Sequence, residues 1–215
     1  TLGIGVDGAT RFRLAIDSAF NVIITSTTYN AVNATDIQVV KYNSSGVLQW
    51  QRSLKSVGFI QDRDGGVTTD SANNVYITGI ANSNQPVVAK YNASGILQWQ
   101  RTLSSTTLLP VSIGSDGTDV YILGGASSPS APAYLFKYSS AGSLLWQRQL
   151  QLNRYTNDRG QIAVIGSDVY FCCGEGSGAS PAPAVVAKYN SSGVIQWQRS
   201  IGVTDPSEGT KGTGA

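Results

Sequence analysis

Two segments of this chain carry charged side chains at matching positions. They are "QDRDGG" at 61–66 and "TNDRGQ" at 156–161, and their charged residues are Asp62, Arg63, Asp64, Asp158 and Arg159. Carboxylate oxygens are the ligands that hard cations prefer, so Asp64 and Asp158 could hold a cation or line a polar channel. An Asp–Arg ion pair between loops is the simpler interpretation. We therefore predict no metal site.

Two tyrosines, Tyr29 and Tyr155, fall in segments that we predict to be loops. A tyrosine ring is amphipathic and can stack on a sugar, although single exposed tyrosines are also common on protein surfaces. We take these two residues, together with the five charged residues above, as candidate binding residues.

The rest of the composition argues against catalysis. Histidine is absent, which excludes His-based triads, His metal sites and the usual general base near neutral pH. The two cysteines are the adjacent pair Cys172-Cys173, which cannot build a four-ligand zinc site or a disulfide framework. We expect them to be small buried thiols. The sequence predicts no catalytic residue and no cofactor.

One motif of fourteen residues recurs four times. It reads "KYNSSGVLQWQRSL" at 41–54 and returns, with small changes, at 90–103, 137–150 and 188–201. Each copy carries one lysine and one tryptophan at the same offset: Lys41, Lys90, Lys137 and Lys188, with Trp50, Trp99, Trp146 and Trp197. A period near 50 residues with short β patterns is typical of propeller blades, each of which is one small sheet.

Each repeat divides into four predicted strands. In the second repeat these are 65–70, 74–80, 86–91 and 96–103, rich in Val, Ile, Tyr and Thr and bounded by Gly, Asn, Asp and Ser. Between the last two strands, "NASG" at 92–95 supplies an Asn that can bond its own turn and a Gly suited to a left-handed conformation. We therefore predict an all-β propeller of four-stranded antiparallel blades, with the first strand innermost.

The hairpin register places the lysine and the tryptophan on one sheet face. A four-residue turn would pair Tyr42 with Val47 and Val39 with Trp50, which leaves Lys41 a diagonal neighbour of the indole. We expect Trp50 to pack against the next blade, with the Lys41 stem and its charge on the ring. Four ligand sites are the alternative, but packing must recur in every blade and explains the repetition more simply.

The repeat resembles two known families. "VYITGI…VVAKYNASGILQWQRTL" at 75–103 is similar to the bacterial and phage β-propeller repeat of secreted and surface proteins, and the resemblance covers nearly the whole chain. The ending "GVLQW" at 46–50 also resembles the tryptophan-docking strand of pyrroloquinoline-quinone-type propellers. The second resemblance implies a quinoprotein dehydrogenase fragment, a family that carries a disulfide between adjacent cysteines beside its cofactor.

The repeats define the expected domain organisation. We predict β-propeller repeats over 1–202, with a Gly/Thr/Ser-rich linker or tail at 203–215. Residues 1–3 match the end of a fourth strand, and we expect a longer parent protein. The predicted blades are 7–54, 60–103, 107–150 and 157–201.

Charge and patterning narrow the partners. The net charge of +2 gives no electrostatic signature of nucleic-acid binding, and no apolar run is long enough to span a membrane. We expect a non-catalytic module of an extracellular, cell-surface or virion protein, such as a phage tail or fibre. Its expected partners are other blades or subunits of a larger assembly and a cell-surface glycan or receptor. A protein–protein scaffold and the quinoprotein fragment are the alternatives.

Overall fold

The computed structural model describes residues 12–29, 35–54, 63–81, 85–103, 108–126, 133–150, 160–174 and 184–201. They form sixteen strands: β1 (Phe12–Ile16), β2 (Val22–Tyr29), β3 (Thr35–Tyr42), β4 (Leu48–Leu54), β5 (Arg63–Thr69), β6 (Val75–Ala81), β7 (Gln85–Tyr91), β8 (Leu97–Thr102), β9 (Leu108–Ser115), β10 (Val120–Ala126), β11 (Tyr134–Tyr138), β12 (Leu144–Gln149), β13 (Gly160–Ile165), β14 (Asp168–Gly174), β15 (Ala184–Asn190) and β16 (Ile195–Ile201). The predicted linker at 203–215 and the predicted strand remnant at 1–3 lie outside the described residues.

The strands form four sheets of four, each in chain order and antiparallel throughout. We number these sheets blade 1 (β1–β4), blade 2 (β5–β8), blade 3 (β9–β12) and blade 4 (β13–β16). The first strand of each blade contacts the first strand of the next, so β1, β5, β9 and β13 are innermost. The predicted fold class, an all-β propeller of four-stranded antiparallel blades, is confirmed.

The buried apolar side chains lie between the blades. Three clusters fill the three spaces between successive sheets, and each draws side chains from both neighbours. The first, for example, combines Val39 and Trp50 of blade 1 with Val75, Ile77 and Ala89 of blade 2. Burial of apolar surface between sheets is therefore what stacks the blades.

The turn between the third and fourth strands follows the predicted chemistry but not the predicted register. The Asn43 side-chain oxygen accepts hydrogen bonds from the Ser45 and Val47 amides, and Gly46 has φ +75°. Because the Val47 amide donates to the Asn43 side chain, Val47 belongs to the turn, and Leu48 is the residue opposite Tyr42. A bulge follows in the fourth strand. Lys41 is therefore directly opposite Trp50, and our prediction that Val39 would be opposite Trp50 was wrong.

The prediction that Tyr29 falls in a loop was wrong for its backbone. Strand β2 continues to Tyr29 and β3 begins at Thr35, and these two residues are paired across the strands. Thr and Tyr favour the extended conformation, which explains the longer strands. The backbone of Tyr29 therefore belongs to a strand and not to a loop.

Candidate functional site

The candidate binding residues from the two charged segments lie mostly beyond the described part of the chain. Asp62, Tyr155, Asp158 and Arg159 are outside it. Arg63 and Asp64 are the first two residues of β5, opposite Ile80 and Gly79. For these two and for Tyr29, the structure describes the backbone position and no side chain. Their role in binding stays a prediction.

The tryptophans of the first three blades each dock on the turn between the third and fourth strands of the next blade. The Nε1–H group of Trp50 donates to the Ala93 carbonyl oxygen at 3.0 Å. The corresponding bonds join Trp99 to Ser140 at 3.0 Å and Trp146 to Ser191 at 2.9 Å. Each indole thus combines apolar burial with a satisfied donor, the usual requirement for a buried tryptophan.

The arginine two residues after each of these tryptophans also binds the turn of the next blade. We did not predict this role. Arg52 Nε donates to the Gly95 carbonyl oxygen at 2.6 Å, and its guanidinium lies 5.9 Å from the centroid of the Trp50 ring. Arg101 and Arg148 repeat both contacts in the next two blades. The recurrence of "WQR" in every repeat was the sequence feature from which this contact could have been predicted.

The lysines interact with different aromatic rings from those we expected. Lys90 Nζ lies 5.1 Å from the centroid of the Tyr76 ring, and Lys137 and Lys188 lie in the same way over Tyr121 and Tyr170. These tyrosines belong to the second strand of the same blade. The expected cation–π contact with tryptophan is thus made by arginine in the first three blades, whereas the pairing of the second and third strands sets these three lysines directly opposite the tyrosines.

Each lysine is also paired with an aspartate, which lies between the first and second strands in blades 1 to 3 and begins the second strand in blade 4. Lys41 Nζ lies 2.8 Å from Asp17 Oδ2, and both side chains are almost fully buried. Lys90 lies 3.9 Å from Asp70, the counterpart of Asp17. Lys137 and Lys188 instead lie closest to an aspartate later in the chain, Asp119 at 3.1 Å and Asp168 at 2.8 Å. These aspartates were visible in the sequence, but their partners were not predicted.

Burial and hydrogen bonds shift the pKa values of Asp17 and Tyr121 in opposite directions. Burial alone would raise the pKa of Asp17, but hydrogen bonds from Lys41, Asn21 and the Ala19 amide lower it below its usual value. The opposite balance holds for a phenol: burial, with the hydrogen bond to Asp116, raises the pKa of Tyr121 to about 12. At neutral pH Asp17 is therefore ionised and the Tyr121 phenol is a neutral donor.

An open cavity of about 690 Å³ lies where the innermost strands converge. Its polar lining includes Arg13, Ser112, Gln161 and Cys172. Within the described ranges, no group of three or more Asp, Glu, Cys or His side chains could hold a metal ion.

The cysteines differ from our expectation. Neither forms a disulfide bond, and Cys173 is buried, but Cys172 is exposed. Its counterparts in blades 1 and 3, Thr25 and Leu123, are both 0% exposed because a following blade covers them. Cys172 is accessible because no described residue covers that face of blade 4.

Comparisons with known proteins identify the fold. No family model matches the chain, and no curated protein matches its sequence. A Hadza microbial sialidase is 14% identical with a TM-score of 0.60, over 86% of this chain and 45% of that one. A europium-containing methanol dehydrogenase is 8% identical with a TM-score of 0.58, over 87% and 42%.

The β-propeller domain of the Trilobed protease from Pyrococcus furiosus is 6% identical with a TM-score of 0.54, over 90% of this chain and 58% of that one. This chain thus spans about half the length of each of these three structures. At these identities the likeness establishes architecture alone. In the part of the chain that is described, no helix is long and apolar enough to cross a membrane. The chain has the β-propeller fold.

Proposed function

We propose that this chain is a non-catalytic β-propeller module that serves as a scaffold and binding platform within a larger extracellular, cell-surface or virion assembly. One observation supports the proposal: the lysines, aspartates and arginines of the repeat are bonded within the blades or between them. Lys41 and Asp17 are paired with each other, and Arg52 holds the next turn. Groups engaged in this way supply rigidity and are not available to a substrate.

The expected binding surface is formed by the segments that differ between repeats. In a propeller the loops between second and third strands and those between blades share one face. Variation on one face of a repeat scaffold is where ligands usually bind. Asp62, Tyr155, Asp158 and Arg159 fall in the segments between blades. Arg63 and Asp64 begin β5, next to such a segment, and Tyr29 ends β2, beside the first of the other loops.

The test is a screen for glycan and protein ligands. The purified chain is applied to a glycan array and to surface fractions of cells, with a variant carrying Arg63→Ala, Tyr155→Ala and Arg159→Ala as the matched comparison. We expect binding that the triple substitution reduces while the circular dichroism spectrum is unchanged. Binding that the variant retains in full would contradict the proposed binding face.

The alternative, a fragment of a quinoprotein dehydrogenase, is supported by Cys172 beside the central cavity and by the structural likeness to a methanol dehydrogenase. It predicts that pyrroloquinoline quinone with Ca²⁺ produces a bound chromophore and dye-linked alcohol oxidation. Cys172→Ser should reduce both if it is correct. A colourless protein without this activity is the result that our proposal expects.

A further inference from the structure

Among the described residues, the first and last blades each have one sheet face that no other blade covers. On β1, Leu14 is 62% exposed, whereas Val67 and Ile113, at the same position in blades 2 and 3, are 8% and 6% exposed. Phe12 and Ile16 are exposed on the same side of β1. We call this surface the head face; it comprises Phe12, Leu14, Ile16 and the turn at 43–47.

The exposed face of blade 4 carries the residues that would fit the exposed face of blade 1. On β16, Trp197 is 37% exposed and Ile201 is 59% exposed, whereas Trp50 and Leu54, at the same positions in blade 1, are 8% and 6% exposed. Cys172 lies on this face as well. We call this surface the tail face; it comprises Cys172, Lys188, Trp197, Arg199 and Ile201.

The two faces are the two halves of the interface that joins the blades inside the chain. Trp197 Nε1 and Arg199 Nε have no hydrogen-bond acceptor among the described residues, although the corresponding groups of Trp146 and Arg148 bond blade 4. Gly46 is the position in blade 1 that would receive a tryptophan ring. A Cβ there would meet no described atom within 4 Å, so no ring lies on it. At Gly193, the same Cβ would touch the Trp146 ring.

We propose that the tail face of one copy docks on the head face of a second copy. Trp197 then packs on Gly46, its Nε1–H group donates to the Ser44 carbonyl oxygen, and the aliphatic side chain of Leu14 is covered. Because the contact joins different faces, it propagates until a ring closes. Two copies of the described part of the chain supply eight blades, the upper end of the usual range of four to eight, so we expect a dimer of this chain to close the ring.

A second copy explains these observations better than closure of one chain on itself. Within a single chain Trp197 and Leu14 are both exposed and Gly46 is vacant, so the two faces do not meet. The interface chemistry is already used three times within this sequence, which makes the chain its own best-matched partner. The proposal extends the scaffold function proposed above and rests on it only in requiring stable blades.

The experiment combines analytical ultracentrifugation with alkylation of Cys172. The chain has two cysteines, and Cys172 is the exposed one, so its reaction with a maleimide reports on the tail face. Between about 1 μM and 300 μM protein, a span that covers weak to moderate interfaces, we expect conversion to a dimer. The alkylation rate of Cys172 should fall at least about tenfold over the same span.

Three variants localise the contact. Trp197→Ala removes the tail-face anchor, and Leu14→Lys places a charge in the head face without altering a buried residue; each should abolish dimerisation and keep Cys172 reactive. Ile96→Lys is the matched control, since Ile96 is 58% exposed in blade 2 away from both faces and its change should leave the dimer intact. Mixing the two disrupted variants should restore a dimer, because one intact contact remains between them.

Two results would overturn the proposal. One is a monomer with reactive Cys172 at every concentration. The other is a monomer in which Cys172 is protected regardless of concentration, which means that the chain closes on itself. Neither result bears on ligand binding or on the absence of catalysis, so the proposed function would be judged separately.

Discussion

The indole of Trp50 lies directly against Gly95 of the next blade. A Cβ atom at Gly95 would lie 2.6 Å from the ring, closer than van der Waals contact permits. Gly95 also has φ +76°, a left-handed conformation that glycine adopts without strain. The same glycine therefore serves two purposes: it closes the turn of its own hairpin and it provides the flat surface on which the preceding blade docks.

A comparison of Gly95→Ala with Gly46→Ala separates the backbone requirement of the turn from the contact with Trp50. Gly46 has almost the same φ, +75°, but no atom near its Cβ position. Gly46→Ala should cost about 1 kcal/mol from the backbone alone. Gly95→Ala should cost a further 1–3 kcal/mol, roughly, because it overpacks the Trp50 dock. Urea unfolding at dilute protein concentration measures both, and equal losses would contradict the dock.

Removal of the Asp17 carboxylate should destabilise the protein in a pH-dependent way. Asp17→Asn leaves Lys41 buried without its partner, and at pH 7 we expect a loss of about 3 kcal/mol. Because folding lowers the pKa of Asp17, its stabilisation is present above the unfolded value of 3.8 and disappears as the pH falls through the lower, folded value. The free energies of unfolding of the two proteins should therefore converge in acid. A difference that persists to about pH 2 would contradict this.

Thr25 offers a stabilising substitution. Its hydroxyl oxygen is buried, and it has no hydrogen-bond partner among the described residues. Thr25→Val removes that polar group at similar volume and should raise the free energy of unfolding by about 1 kcal/mol. The matched control is Thr78→Val, because Thr78 is at the same position in blade 2 and donates to the Val87 carbonyl oxygen at 2.9 Å. Thr78→Val should lower the free energy of unfolding by about 1 kcal/mol. A change of the same sign in both variants would contradict the conclusion that the Thr25 hydroxyl lacks a partner among the described residues.

The arginines that follow the repeated tryptophans should contribute differently to stability, depending on whether another blade lies next to them. Arg101 contacts both the Trp99 ring and the Gly142 carbonyl oxygen, so Arg101→Ala should cost about 1–2 kcal/mol. Arg199 occupies the same position in blade 4, and Arg199→Ala should change stability by less than about 0.5 kcal/mol in dilute solution. Thermal unfolding of the two variants is the measurement. A large loss at Arg199 would show that the tail face is covered within one chain.

The fold was predictable because repetition makes local signals mutually consistent. Asn43 and Gly46 identify a hairpin, and their recurrence at fixed spacing identifies four similar sheets. The register of that hairpin was not predictable by counting residues, because a side-chain hydrogen bond from the Val47 amide to Asn43 extends the turn and a bulge follows. The choice between Val39 and Lys41 as the residue opposite Trp50 depended on that bond.

The candidate site was less predictable than the fold. The repeated aspartate, lysine and arginine letters were visible, but a sequence does not state which pairs of residues meet. Asp17 and Lys41 are 24 positions apart and meet only because the second strand lies between them. Arg52 finds its acceptor, the Gly95 carbonyl oxygen, in another blade.

The sequence by itself determined the period, the turns and the alternation that put apolar residues between sheets, because these are local properties of strands and hairpins. Only the tertiary structure decided which copies of the repeat are complete. Trp50 and Trp197 have almost identical neighbours along the chain, yet one is 8% exposed and the other 37%. The reason is that burial of an indole depends on whether another blade stands next to it, and chain position alone carries no information about what covers the last blade.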